Sequence, residues 1–353
     1  MNRILIVRMS ALGDIVHALP VLSALRDAFP SADIDWLADE RYAGILDHVR
    51  GLTMCVIGRP GLRQAIQLMR SRDYDVALDL QGLLKSAAMA RLSGARRVIG
   101  FETAALREQG AAWFYSETSI VPAGVHIVQK NLSVLARLGL AAQPVRFPFV
   151  VPESAVARHV VAEAAARGDG RFVLINPGAG WPNKRWPPDR FGAVAAAIRE
   201  EHALPTFVLW GRDESVLADA VTDASRGAAM RAPATALGDL LALTSRAALM
   251  ISGDTGPTHI AAAMGTPIVG LYGPTRPERN GPWHPDDVVV SRAAECVCHH
   301  KRECQRGRAE GVATYGCITD ISVEEVVRAV RLRLSRANGQ SSSEAPPRTD
   351  EKT

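Results

Sequence analysis

Short apolar runs recur along the chain, each bounded by polar, Gly or Pro residues. Longer segments with apolar positions three and four apart separate them. The runs are RILIVR (3–8), DIDWLA (33–38), TMCVIG (53–58), DVALDL (75–80) and RVIGF (97–101). Helical spacing is clearest at 15–28 and 62–71, and a further helix is expected from about His126 to Leu138. Strand-length apolar runs alternating with helices predict a parallel sheet covered on both faces. The stretch GLAAQPVRFPFVVPE (139–153) is rich in Pro and Gly and reads as a linker. The strand–helix pattern then restarts with RFVLIN (171–176), TFVLWG (206–211), AALMIS (247–252) and TPIVGLYG (266–273). An α/β chain of two similar domains, 1–150 and 151–334, is therefore expected, with a ligand cleft between them. The polar, Pro- and Ser-rich stretch 335–353 is expected to be disordered. No repeat of solenoid period is evident.

Length and composition agree with this picture. At 353 residues the chain can bury two cores, and 47% apolar with 22% charged residues is ordinary for a globular protein. The net charge of +4 and pI near 8.9 permit an anionic substrate or membrane surface. They do not argue for nucleic acid, and the stacking pattern of aromatic and basic residues used by single-strand binders is absent. No apolar run approaches the roughly 18 residues that span a bilayer. Arg3 and Arg8 beside apolar residues raise the question of a signal peptide. Asp14 interrupts that stretch, which reads through Leu25 as strand, loop and helix, so no leader is expected. A cytoplasmic protein with reduced cysteines follows from that reading.

The loop MSALGDIVH (9–17) has the small residues of a phosphate site but ends in a carboxylate, Asp14. Either Asp14 caps the following helix or the phosphate site lies elsewhere and Asp14 has another task. The second half supplies such a site on three loops at the carboxyl ends of predicted strands, where open α/β sheets bind ligands. In NPGAGWPNKRWP (176–187), Gly178, Ala179 and Gly180 let backbone N–H groups approach an anion, while Lys184 and Arg185 bring charge. In SGDTGPTHIAAAMGTP (252–267), a helix beginning near Gly256 or Pro257 offers free N–H groups, and Thr255 and Thr258 offer hydroxyls. In WGRDES (210–215), Glu214 is placed to accept from a ribose. Each residue has a plainer reading: Asp254 as a turn residue, His259 as packing, Lys184 and Arg185 as a solvated pair. Their convergence on one sheet edge favours the site.

Two further patterns bear on metals. The D-x-D at Asp33 and Asp35 lies in a predicted strand and reads as a solvent-facing strand edge. Cys296, Cys298, Cys304 and Cys317, with His299 and His300 nearby, are candidates for zinc or iron. They lack the usual C-x-x-C pairs, so a reduced structural loop is the competing reading. A nicotinamide-dependent oxidoreductase is disfavoured, because no G-x-G-x-x-G follows the first strand and Asp14 would repel a pyrophosphate there.

RILIVRMSALGDIVHALPVLSALR (3–26), KRWP (184–187) and SGDTGPTHIAAAMGTPIVGLYGPT (252–275) together resemble the ADP-heptose:lipopolysaccharide heptosyltransferases of glycosyltransferase family 9. The N-terminal half is most similar to the heptosyltransferase I branch, and the likeness covers residues 1–330. The resemblance implies a GT-B fold, with two Rossmann-like doubly wound domains facing each other across a cleft. The N-terminal domain would bind acceptor and the C-terminal domain the nucleotide-sugar donor. It implies inverting transfer of L-glycero-D-manno-heptose from ADP-heptose to Kdo on lipid A, at the cytoplasmic face of the inner membrane with peripheral membrane contact.

By the same resemblance Asp14 matches the catalytic base and Lys184 the donor-phosphate lysine. Asp254, Thr255, Gly256 and His259 match the donor loop, and Glu214 the acid near the ribose. Lys85, Arg107 and His126 match the acceptor side, to which Ser10 and Gly13 are also assigned. The familiar branch has threonines where Ala179 and Gly180 stand, so backbone N–H groups must replace hydroxyls here. Metal-independent transfer without a cofactor is expected, with Lys184, Arg185 and the helix near Gly256 taking the diphosphate charge. The alternatives are a family 9 transferase with another acceptor (a second core heptose, another core sugar or a protein) and a non-catalytic nucleotide-sugar binding protein.

Overall fold

The computed structural model describes residues 1–57, 61–141, 144–296, 298, 301–302, 304 and 317–340. It contains two parallel six-stranded sheets. The first is built from β1 (Arg3–Val7), β2 (Asp33–Ala38), β3 (Met54–Ile57), β4 (Val76–Asp79), β5 (Arg97–Phe101) and β6 (Glu117–Ser119). The second comprises β7 (Val173–Asn176), β8 (Thr206–Val208), β9 (Ala229–Arg231), β10 (Leu249–Gly253), β11 (Ile268–Tyr272) and β12 (Val288–Ser291). Their orders, β3-β2-β1-β4-β5-β6 and β12-β11-β10-β7-β8-β9, are the same doubly wound topology.

The helices are α1 (Leu12–Ala28), α2 (Glu40–Ala43), α3 (Leu62–Ser71), α4 (Leu84–Leu92), α5 (Ile127–Leu132) and α6 (Ala155–Ala165). They continue with α7 (Pro188–His202), α8 (Ser215–Ala224), α9 (Leu237–Thr244), α10 (Gly256–Ala263), α11 (Pro277–Asn280) and α12 (Val323–Gln340). The chain divides into two compact units. One comprises 1–154 with 236–242 and 278–280, and the other the remaining residues.

The central strands are apolar because helices cover both faces of each sheet. Ile4, Leu5, Ile6 and Val7 of β1 are fully buried. Trp36 of β2 is equally buried, and its indole N–H donates to the Arg8 carbonyl at 3.0 Å, tying β2 to the loop after β1. In the second unit Trp186 and Phe191 meet edge to face, with ring centroids 4.9 Å apart, over a core of Val173, Ile175, Leu249 and Ile251. The Trp186 N–H donates to the Ile321 carbonyl.

Several expectations are corrected. β6, β9 and β12 stand at sheet edges, where one neighbour suffices; they have only three or four residues, ETS and AMR of β6 and β9 carry little pattern, and VVVS of β12 is apolar but short. The helix expected over 126–138 is α5 followed by a 3-10 segment, Ser133–Leu138. Asp35 is fully buried on the interior strand β2, accepting from Arg72 Nε at 2.9 Å and the Tyr74 hydroxyl at 2.7 Å. Asp33 joins the same guanidinium at 3.1 Å. This D-x-D is an internal brace, because the apolar strand carries Asp35 inward to a matched Arg. α12 runs on to Gln340, so 335–340 is helical where disorder was expected. Residues 341–353, and His299 and His300, lie outside the described residues. Among those described, no helix is long and apolar enough to cross a membrane.

Candidate active site

Strand order reverses between β1 and β4, where Val7 lies opposite Asp79. The loops leaving these strands meet. Met9 N–H donates to Gln81 Oε1 at 2.8 Å, and Gln81 Nε2 lies 3.5 Å from Ser10 Oγ. Buried Asp79 holds the second loop, accepting from the Tyr115 and Ser86 hydroxyls and the Gln81 and Gly82 N–H groups. Burial pushes its carboxyl up despite those bonds.

Asp14 lies in the first turn of α1, and its Oδ2 accepts the Ala11 N–H at 3.2 Å, closing half of a capping box. Its Oδ1 meets Arg8 at 2.8 Å. The Arg8 side chain is buried and also donates to the Leu80 carbonyl, whereas that of Asp14 remains 43% exposed. A carboxylate offers about four acceptor positions. Asp14 is thus oriented by two fixed donors and still open to an incoming hydroxyl. Gly13 is buried at the start of the helix. Arg8 is the residue that sequence reasoning missed; its signal was a cation directly after an apolar strand.

His126 caps α5, its Nδ1 accepting the Val128 N–H at 3.2 Å. Its ring packs edge-on against His17, one turn beyond Asp14, with centroids 5.5 Å apart. On the same helix, Lys130 lies 4.5 Å over the Phe101 ring and donates to the Ala105 carbonyl. Burial, then the nearby charges of Arg279 and Arg8, pull its ammonium down to about 8. Lys85 and Arg107 are exposed, Lys85 in the first turn of α4.

The equivalent reversal in the second unit lies between β7 and β10, where Asn176 faces Ser252. Asn176 Nδ2 donates to Ser252 Oγ at 3.0 Å and Thr255 Oγ1 at 3.1 Å, joining the two loops. Lys184 meets Asp254 Oδ2 at 2.5 Å, and His259 Nε2 lies 3.2 Å from Asp254 Oδ1. Burial alone would raise the Asp254 carboxyl; the His259 hydrogen bond and the Lys184 charge overcome it and hold the group well below the usual range. Lys184 also lies 4.5 Å over the Trp181 ring.

α10 starts at Gly256 with Thr255 as its cap and Pro257 in the first turn, as its sequence leads one to expect. Thr258 is fully buried, and its hydroxyl bonds the Gly253 carbonyl and Ser252, so it braces the loop from inside. Glu214 Oε2 accepts the Gly211 N–H at 3.1 Å, and Arg185 approaches Oε1 at 3.6 Å. Gly178 makes room for this carboxylate: a Cβ there would stand 2.2 Å from Glu214 Oε2. Ala179 is buried, with its carbonyl accepting from Arg185, whereas Gly180 has nothing within 4 Å of a Cβ.

Cys296, Cys298, Cys304 and Cys317 pack together, with the Cys298 and Cys304 sulfurs 3.9 Å apart. Burial, then the Cys296 hydrogen bond and the other thiols, push Cys317 up to about 12. Among the described residues no three His, Cys, Asp or Glu side chains are arranged to hold a metal ion.

Two doubly wound α/β units, each with polar loops at its switch point, have the architecture of the GT-B fold. The family model for Glycosyltransferase family 9 (heptosyltransferase) matches residues 62–309, and the chain belongs to that family. Lipopolysaccharide heptosyltransferase 1 of Pseudomonas aeruginosa is 28% identical over 319 residues, covering 86% of this chain and 87% of its own. Lipopolysaccharide heptosyltransferase 3 of Escherichia coli is 30% identical over 281 residues, covering 74% and 81%. The E. coli heptosyltransferase WaaC, solved with ADP-2-deoxy-2-fluoro heptose, superposes with a TM-score of 0.71 at 20% identity, covering 93% of this chain and 99% of its own.

Proposed function

We propose that the protein transfers L-glycero-D-manno-heptose from ADP-heptose to the Kdo region of lipid A, with inversion, in lipopolysaccharide inner-core synthesis. The observation that carries this reading is the half-exposed Asp14 carboxylate, fixed at a switch point by Arg8 and the Ala11 N–H. Asp14 accepts the acceptor hydroxyl proton as that oxygen attacks the anomeric carbon, and the bond to the diphosphate breaks on the opposite face. Lys184, oriented by Asp254 and His259, takes the charge of the departing ADP together with Arg185 and the first N–H groups of α10. An ammonium has three protons, and only one is directed at Asp254. Glu214 accepts from the ribose. Lys130, Lys85 and Arg107 supply positive charge toward an anionic acceptor.

These cations can do the work of a divalent metal, so transfer proceeds in chelator; loss of activity restored by magnesium would overturn that part. An acceptor carried on lipid A places the enzyme at the cytoplasmic face of the inner membrane. The 30% identity to a heptosyltransferase 3 favours one alternative, a different core-sugar acceptor. Incubation with ADP-heptose and either Kdo–lipid A or an already heptosylated core separates the two by ADP release. Release with Kdo–lipid A is expected. Release only with the heptosylated core selects the alternative, and no release with either sinks both.

A further inference from the structure

We propose that Arg302 is a further donor-binding residue, which adds positive charge for a nucleoside diphosphate beside Lys184. This rests on the donor reading above and deepens it. The side-chain cations assigned there to the diphosphate are each met by a carboxylate of the protein. Lys184 lies 2.5 Å from Asp254 Oδ2, and Arg185 lies 3.6 Å from Glu214 Oε1. Those two acids offset much of the charge that the loops could set against two phosphates. The start of α10 contributes only about half a charge. A departing diphosphate is stabilised best by a cation that no protein acid has already neutralised.

Arg302 meets that need. It is exposed, and no Asp or Glu among the described residues pairs with it. Its guanidinium lies 6.0 Å over the Trp181 ring, the same indole that carries Lys184 at 4.5 Å. One half-buried aromatic ring thus gathers both cations at the loop 176–187. Two hydrogen bonds hold the Arg302 loop in that place. Asn183, directly before Lys184 and only 3% exposed, donates from Nδ2 to the Lys301 carbonyl at 2.8 Å. The Lys301 N–H in turn donates to the Cys298 carbonyl at 3.0 Å, closing a turn built on the packed thiols of Cys296, Cys298 and Cys304. The cysteine cluster then serves as the compact filling of a turn that delivers Arg302 to the donor loop. A guanidinium suits the task, because its planar fork of donors matches the oxygens of a phosphate.

Isothermal titration calorimetry of the full-length protein with ADP, acceptor absent, tests the assignment. Arg302→Gln should weaken ADP binding about ten-fold, the effect of losing one charged hydrogen bond. Arg302→Lys should recover much of that loss, and Arg302→Glu should bind more weakly than Arg302→Gln. Added salt should weaken the parent more than Arg302→Gln, since the variant has one screened contact fewer. Unfolding midpoints of all three variants should match the parent, because the side chain is exposed. Unaltered ADP affinity in Arg302→Gln, with the parent binding ADP, would overturn the assignment and leave the donor reading standing. Arg302→Glu binding as well as Arg302→Gln would overturn it too, because charge would then have no part. A parent protein that does not bind ADP would remove the donor reading itself, and Arg302 with it.

Discussion

Asp14 and Asp254 are the same chemical group, each beside a switch point, after β1 in one sheet and after β10 in the other, yet their settings are opposite. Asp14 is half exposed, with one guanidinium and one backbone N–H as partners. The Asp254 side chain is only 6% exposed and is gripped by an ammonium on one oxygen and an imidazole on the other. The first carboxylate is oriented but reachable, which suits a group that must accept a proton. The second is a permanent anion whose use is to hold Lys184 in one place. A carboxylate at the end of a strand is therefore defined by its burial and by how many donors hold it.

Removing the charge at each position should break this contrast cleanly. Asp14→Asn should lower turnover by about 10²–10⁴-fold. Its unfolding free energy should fall by roughly 1–3 kcal/mol, because buried Arg8 loses a charged hydrogen-bond partner that is itself only half solvated. Steady-state ADP release and urea unfolding measure the two effects, and a fully active variant would remove Asp14 as the base. Asp254→Asn should instead cost about 3–5 kcal/mol of stability, because Lys184 would be left buried beside a neutral group. Equilibrium unfolding reads that loss directly, and a normally stable Asp254→Asn would show that the two acids are not opposites.

Lys130 sharpens the first unit's side of the comparison. Its ordinary value of 10.5 falls to about 8 in the fold. Below about 8 it is charged in both folded and unfolded chains, and the fold carries the full cost of that charge. Between 8 and 10.5 only the unfolded chain keeps the proton, so stability should rise with pH across this window. Acceptor affinity should fall as pH rises through 8. Lys130→Met should flatten both trends, and unchanged pH profiles would separate Lys130 from the acceptor. The smallest effect is expected from Gly178→Ala, which displaces the flexible end of Glu214. Donor KM should rise several-fold with turnover and stability nearly intact, on the order of 1 kcal/mol for one lost hydrogen bond; unchanged KM would detach Glu214 from the ribose.

The interior strands were legible because burial on both faces demands continuous apolar runs, which short edge strands such as β6, β9 and β12 do not need. Asp14 stood out as a charge in the wrong kind of loop, and Lys184 and Asp254 as polar residues at strand ends. Arg8 was hidden because the same cation fits the start of a leader, and only the fold shows it reaching Asp14. Asn176 was hidden because its value lies in joining loops 76 residues apart in sequence. Asp35 misled because its partners, Arg72 and Tyr74, lie on a distant part of the chain. The glycine at 178 reads as access for an anion, and the fold adds a neighbour that reading does not contain, the Glu214 carboxylate. In each case the sequence showed the group and concealed the partner.

Gly180 has a consequence for how such an enzyme can change. A side chain there would meet nothing within 4 Å, and the residue needs no left-handed backbone. Folding therefore places no constraint on this position of the loop, although Gly178 two residues earlier is tightly constrained. Mutations at 180 are close to neutral for the scaffold and are tested almost wholly by what the loop binds. Such a position lets a lineage drift through serine, threonine or alanine without passing through an unfolded ancestor, and, if the loop holds the donor as proposed, explore new donors while Glu214 keeps its post.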